Sequence, residues 1–83
     1  MKIYGYSDQG LPIEDVVPAE LAEITLNATP DETRKIAAFL LSAADSMERM
    51  GDSYGHVHLA DVQPEFEGSP HFTVFNSKLL GGR

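Results

Sequence analysis

The clearest periodicity in the chain runs between residues 29 and 51. Ile36, Phe39, Leu40, Ala43, Met47 and Met50 recur at steps of three and four, and Ala37, Leu41 and Ala44 widen the stripe. That spacing places apolar side chains on one side of a 3.6-residue helix. The ends are marked as well. Thr29 suits the N-cap, and Pro30 suits the first helical position, where its missing N–H is not needed. Glu32 completes a Thr-x-x-Glu capping box, and Asp31 joins it in complementing the positive end of the helix dipole. Arg49 falls in the last turn and Gly51 supplies the stop. The pattern predicts a helix of about 21 residues, spanning roughly 30 Å. Its Met and Phe positions read as core rather than as a cofactor box.

The rest of the chain favours strands and loops. "KIYGYS" reads as a short strand, with Tyr4 and Tyr6 on one face and Ile3 on the other. "DQGLPIEDVVPAE", residues 8–20, is broken by Gly10, Pro12 and Pro18 and reads as a long loop. Over residues 21–29, Ala22, Ile24, Leu26 and Ala28 alternate with Glu23, Thr25 and Asn27, the period of a half-buried strand. "DSYG" is a turn and "HVHLADV" a strand, in which His56, His58 and Ala60 face one way and Val57, Leu59 and Asp61 the other. "QPEFEGSP" is a loop between Pro64 and Pro70, and "HFTVF", residues 71–75, is a final strand.

The expected fold is therefore α+β, with element order β-β-α-β-β. A mainly antiparallel sheet of about four strands carries the long helix across one face. One helix covers one face only. The other face is polar, or is met by a second copy or a partner if Tyr4, Tyr6 and Phe75 lie there. No repeat or linker divides the 83 residues, so a single domain over residues 1–83 is expected, with a frayed tail at 79–83 ending in "GGR".

Charge changes the functional picture. Thirteen acidic residues oppose six basic ones, for a formal net charge of −7. Residues 50–77 contain no Lys or Arg, while Asp52, Asp61, Glu65 and Glu67 lie there. Nucleic acid and anionic membrane are neutralised by basic patches, so neither is an expected partner. A basic protein surface is, because complementary charge steers encounter. There is no cysteine, which removes disulfides and thiol chemistry and fits a cytoplasmic location. No stretch approaches the ~18 apolar residues of a membrane helix, and "MKIYGYSDQG" lacks the apolar core of a signal peptide.

Candidate chemistry centres on "GHVHLADVQPEFEG", residues 55–68. His56 and His58 share a strand face and so have chelating spacing. A third ligand is required, with His71, Asp52 or Asp61 as candidates. Without a matched third ligand the metal signal from His56, His58 and His71 is weak, and no cofactor is assigned. Pairing His58 with Asp61 or Glu65 would make an acid–base couple. The chain, however, has no nucleophile elbow and no phosphate loop, and an enzyme is not expected. The favoured reading is a contact surface: Asp61, Glu65 and Glu67 supply charge, and Tyr54, His56, His58 and Phe66 supply anchors.

Four motifs carry a family resemblance. The Thr-Pro-x-Glu helix start at residues 29–32 follows an acidic strand. An Ala-x-Phe-Leu helix core ends at Leu40. His-x-His-Leu-x-Asp occupies residues 56–61, and a hydrophobic terminal strand follows Gly68-Ser69-Pro70. Together, over roughly residues 20–76, the chain resembles the thirty-second numbered family of immunity proteins from bacterial polymorphic-toxin systems. That resemblance implies an α+β domain without catalytic residues, which binds and neutralises a cognate toxin. The alternatives are a small oligomeric accessory protein, with homodimerisation as its output, and a His-based metal-binding protein.

Overall fold

The computed structural model describes residues 1–7 and 18–77. Most of the 8–20 loop and the 79–83 tail lie outside the described residues. Strands β1 (Tyr4–Gly5) and β2 (Ala19–Glu20) pair antiparallel, Tyr4 with Glu20 and Gly5 with Ala19. Helix α1 (Pro30–Met50) follows, then a 3-10 turn at Gly51–Ser53 and strand β3 (His56–His58). A single helical turn α2 (Leu59–Val62), a 3-10 turn at Pro64–Phe66 and strand β4 (Thr73–Phe75) complete the described chain. Among the described residues the fold is α+β with one long helix, but the strands form two separate two-stranded sheets rather than one sheet of four.

Helix α1 begins and ends where its local signals place it. The Thr29 side chain accepts from the Glu32 N–H at 3.1 Å, and the Glu32 carboxylate accepts from the Thr29 N–H at 2.8 Å. Two otherwise orphaned donors are thereby satisfied. At the other end Gly51 has φ 55°, a backbone conformation that side-chain-bearing residues rarely adopt. The buried positions of α1 are Ile36, Phe39 and Ala43; Leu40 and Leu41, part of the same expected stripe, are exposed.

Among the described residues the core comes from α1 and the elements that follow it. Ile36, Phe39, Leu59 and Phe66 form its centre, with Val57, Phe72 and Val74 packed against them. Phe39 is only 1% exposed and meets the Phe72 ring edge to face, with centroids 6.1 Å apart. The outer end of β4 is tied down by buried Asn76, whose Nδ2 donates to the Gly51 and Tyr54 carbonyls at 3.1 Å each.

Two expected strands differ. Residues 21–29 do not form one. The pairing stops at the Leu21 N–H, which donates to the Ile3 carbonyl at 2.7 Å, and Ile24 and Leu26 stay 45% and 50% exposed. Alternation marks a strand only when a neighbour pairs with it, and residues 22–28 carry no ladder pairing. The second difference lies after His58. Val57 and Leu59 both face the core, and a strand continued at period two would aim Asp61 inward as well. The chain instead turns into α2, with the Gln63 N–H donating to the Leu59 carbonyl at 2.8 Å. Leu59 stays buried and Asp61 is turned out to solvent, so no carboxylate is buried unpaired.

Candidate functional site

The pairing of β3 with β4 sets the candidate site. His56 opposes Phe75, Val57 opposes Val74 and His58 opposes Thr73. Because side chains alternate, Val57 and Val74 go to the core, and His56, His58, Thr73 and Phe75 share the outer face. His56 stacks on Phe75 with centroids 4.8 Å apart and planes 22° apart. The His58 Nδ1 lies 2.9 Å from the Thr73 hydroxyl oxygen. Edge-on contacts then link His56 to His58 at 5.2 Å and His58 to His71 at 6.0 Å between centroids. The outer face thus carries three imidazoles in a row, ending on an aromatic ring.

His71, named from sequence only as a candidate third ligand, is brought beside His58. The three rings do not converge on one point: His56 lies flat on Phe75, and His58 Nδ1 is engaged by Thr73. Among the described residues, no group of three or more His, Asp or Glu side chains could hold a metal ion.

Around the end of this row a hollow of about 260 Å³ is lined by His58, Asp61, Phe66, Glu67, Ser69 and His71, among others. The turn at α2 puts Asp61 on its rim, and the 3-10 turn after Pro64 puts Glu67 there. Both carboxylates are exposed. Small-molecule pockets enclose roughly 300–1,000 Å³, so the hollow falls just short of that range.

The expected anchors divide. His56 is exposed and His58 is half-buried on the outer face. Tyr54 and Phe66 are 5% and 7% exposed and point into the protein. The Tyr54 hydroxyl donates to the Val74 carbonyl at 3.2 Å, and burial pushes its phenol pKa up. Both rings hold the outer face in place from beneath and offer almost no surface to a partner.

Glu65 also differs from the other two acids. Lys35 of α1 reaches it at 2.6 Å and reaches Asp31 at 3.2 Å. The Lys35 ammonium, donating to Glu65, holds that carboxyl below its ordinary range, and the same hydrogen bond, with help from Asp31, raises the Lys35 pKa. The base-free sequence of residues 50–77 is therefore partly neutralised in space by a residue thirty positions earlier. Asp52, Asp61 and Glu67 make no ion pair among the described residues.

The model of the Immunity protein 32 family (Imm32) matches residues 23–78. The chain belongs to the Imm32 family. The match takes in α1, both strands of the histidine-bearing sheet and the acidic rim, and begins after β1 and β2. Searches of curated proteins and of solved structures find no match. Immunity proteins act by binding cognate toxins, so membership gives the kind of partner as a toxin protein. Among the described residues no helix is long and apolar enough to cross a membrane.

Proposed function

We propose that this Imm32 protein neutralises a cognate toxin by covering it with the outer face of the β3–β4 sheet and the acidic rim beside it. The observation that carries this reading is the geometry of that face. Asp61 and Glu67 are exposed at the edge of the hollow, and His56, His58, His71 and Phe75 form a continuous aromatic strip next to it. Flat aromatic surface beside unpaired charge suits a protein contact, where rings contribute buried area and charges steer approach and fix orientation.

The toxin surface complementary to this face is basic. Asp61 and Glu67 contribute directly, while Glu65 contributes less because Lys35 already holds it. Inhibition is by occlusion, with no chemical step on the immunity protein's side, and the complex forms in the cytoplasm.

The test is a titration of the purified protein against the toxin domain encoded beside its gene, at low and high salt. Two rim charges facing a basic partner should give tighter binding at low salt, and Asp61→Lys with Glu67→Lys should weaken it by about 10- to 100-fold. Undiminished affinity for the doubly reversed variant at both salt concentrations removes the acidic rim from the interface. The absence of any complex removes the toxin reading altogether.

A further inference from the structure

The apolar side of α1 is wider than the core that covers it. Ile36, Phe39 and Ala43 are buried, but Leu41 is 70% exposed and Leu40 beside it is also exposed. Arg34, Ala37, Leu41, Ala44 and Glu48 follow one another along the uncovered side at steps of three, four, three and four, and all five are exposed. That spacing keeps them on one seam of a helix, the arrangement by which two helices pack lengthwise.

The seam has a symmetry of its own. Read in either direction from Leu41 it is small at the next position and charged at the one after, with opposite charges at the two ends. A second copy laid antiparallel about Leu41 sets Leu41 against its own equivalent, each Arg34 against a Glu48, and each Ala37 within one residue's rise of an Ala44. A parallel copy would instead set Arg34 against Arg34 and Glu48 against Glu48. Among the described residues neither Arg34 nor Glu48 makes an ion pair. The alanines on either side of Leu41 allow two helix axes to approach toward the short end of the usual 8–10 Å separation. A two-fold axis needs one patch complementary to itself, and this seam meets that condition in shape and in charge.

We propose that the protein forms a homodimer through α1, antiparallel about Leu41, with Arg34 of each copy paired to Glu48 of the other. This surface is separate from the β3–β4 face, so both could be occupied at once. The proposal stands independently of the toxin reading.

Sedimentation velocity over a concentration series, with no toxin present, provides the test. The unmodified protein should show reversible, concentration-dependent dimers. Leu41→Glu, at a position too exposed to threaten folding, should raise the dimer dissociation constant by at least about 100-fold, because each dimer then faces two carboxylates at its centre. Arg34→Glu should raise it by about tenfold, and Glu48→Arg likewise. Combining Arg34→Glu with Glu48→Arg should restore it to within about threefold of the starting value. Circular dichroism confirms that each variant keeps its helix. A protein that stays monomeric at every concentration overturns the proposal, as does a dimer indifferent to Leu41→Glu. A doubly swapped variant no tighter than either single variant overturns the antiparallel register.

Discussion

Asn76 offers a direct probe of how the histidine-bearing sheet is held to the helix. Its side chain donates to the Gly51 and Tyr54 carbonyls, and its N–H donates to the Gly55 carbonyl at 2.9 Å. One residue thus joins the end of β4 to the helix stop and to the start of β3. Asn76→Ala removes at least these two side-chain bonds. At a net 0.5–1.5 kcal/mol each, the loss is about 1–3 kcal/mol. For a domain of this size that lowers Tm by roughly 5–20 °C. Asn76→Asp keeps the shape but turns a carboxylate oxygen toward two carbonyls, so at neutral pH it should be more destabilising than Asn76→Ala. Its pH dependence has a definite sign. Burial beside carbonyl oxygens favours the neutral carboxyl and raises its folded-state pKa, so the folded protein holds a proton that the unfolded chain releases. The extra penalty of Asn76→Asp over Asn76→Ala should grow as pH rises through that raised value. It should shrink toward zero below the unfolded value of about 3.9. Urea unfolding of both variants between about pH 4 and pH 8, followed by circular dichroism, measures this difference. Asn76→Ala within about 0.5 kcal/mol of the unmodified protein would mean that these bonds do not hold the sheet to the helix, and a gap between the variants that does not change with pH would deny the buried carboxylate its penalty.

Phe39→Ala should cost about 3–5 kcal/mol, because Phe39 is the most deeply buried side chain and carries the contact with Phe72; a cost under about 1 kcal/mol in urea unfolding would mean that the core is not centred there. Thr29→Ala should cost about 1 kcal/mol through loss of the cap, and Thr29→Ser should recover most of it; equal stability of the two variants would deny the capping box its role. Glu65 has a folded pKa below its ordinary 4.5, so its contribution is present above that value and lost as pH falls through the lower folded one. Lys35, raised above 10.5, contributes below that value and loses its contribution as pH rises through the higher folded one. Glu65→Gln should therefore flatten the acid side of the stability profile, and an unchanged acid limb would remove the Lys35–Glu65 pair as a cause.

The parts of the molecule legible in the sequence were those fixed by near neighbours. Thr29, Pro30 and Glu32 mark the start of α1, and Gly51 with Arg49 marks its end, because caps act within one turn. Strand pairing joins distant residues, so alternation over residues 21–29 could not reveal that, among the described residues, no neighbour takes up the ladder there. Nor could the period show that one sheet would become two. The break after His58 left a signal that was open to reading: an acid at the third inward position of a strand argues for a turn before it. His71 and Thr73 reach His58 only through the β3–β4 register, and Lys35 reaches Glu65 only through the packing of α1. The burial of Tyr54 and Phe66 follows the same logic. The core takes in Phe39, Tyr54 and Phe66 while Tyr4, Tyr6 and Phe75 stay exposed, and an aromatic beside acids in sequence is as readily a floor beneath a surface as an anchor upon it.

Survival of toxin-expressing cells shows whether this Imm32 protein neutralises a toxin through its β3–β4 face. Cells expressing the toxin domain encoded beside the gene are grown with the unmodified protein, or with the variant carrying Asp61→Lys and Glu67→Lys, at matched soluble levels. The unmodified protein should restore growth and copurify with the toxin, and the reversed variant should protect poorly while keeping its helical spectrum. Equal protection by both proteins would contradict the proposed face, and no protection by either would contradict neutralisation itself.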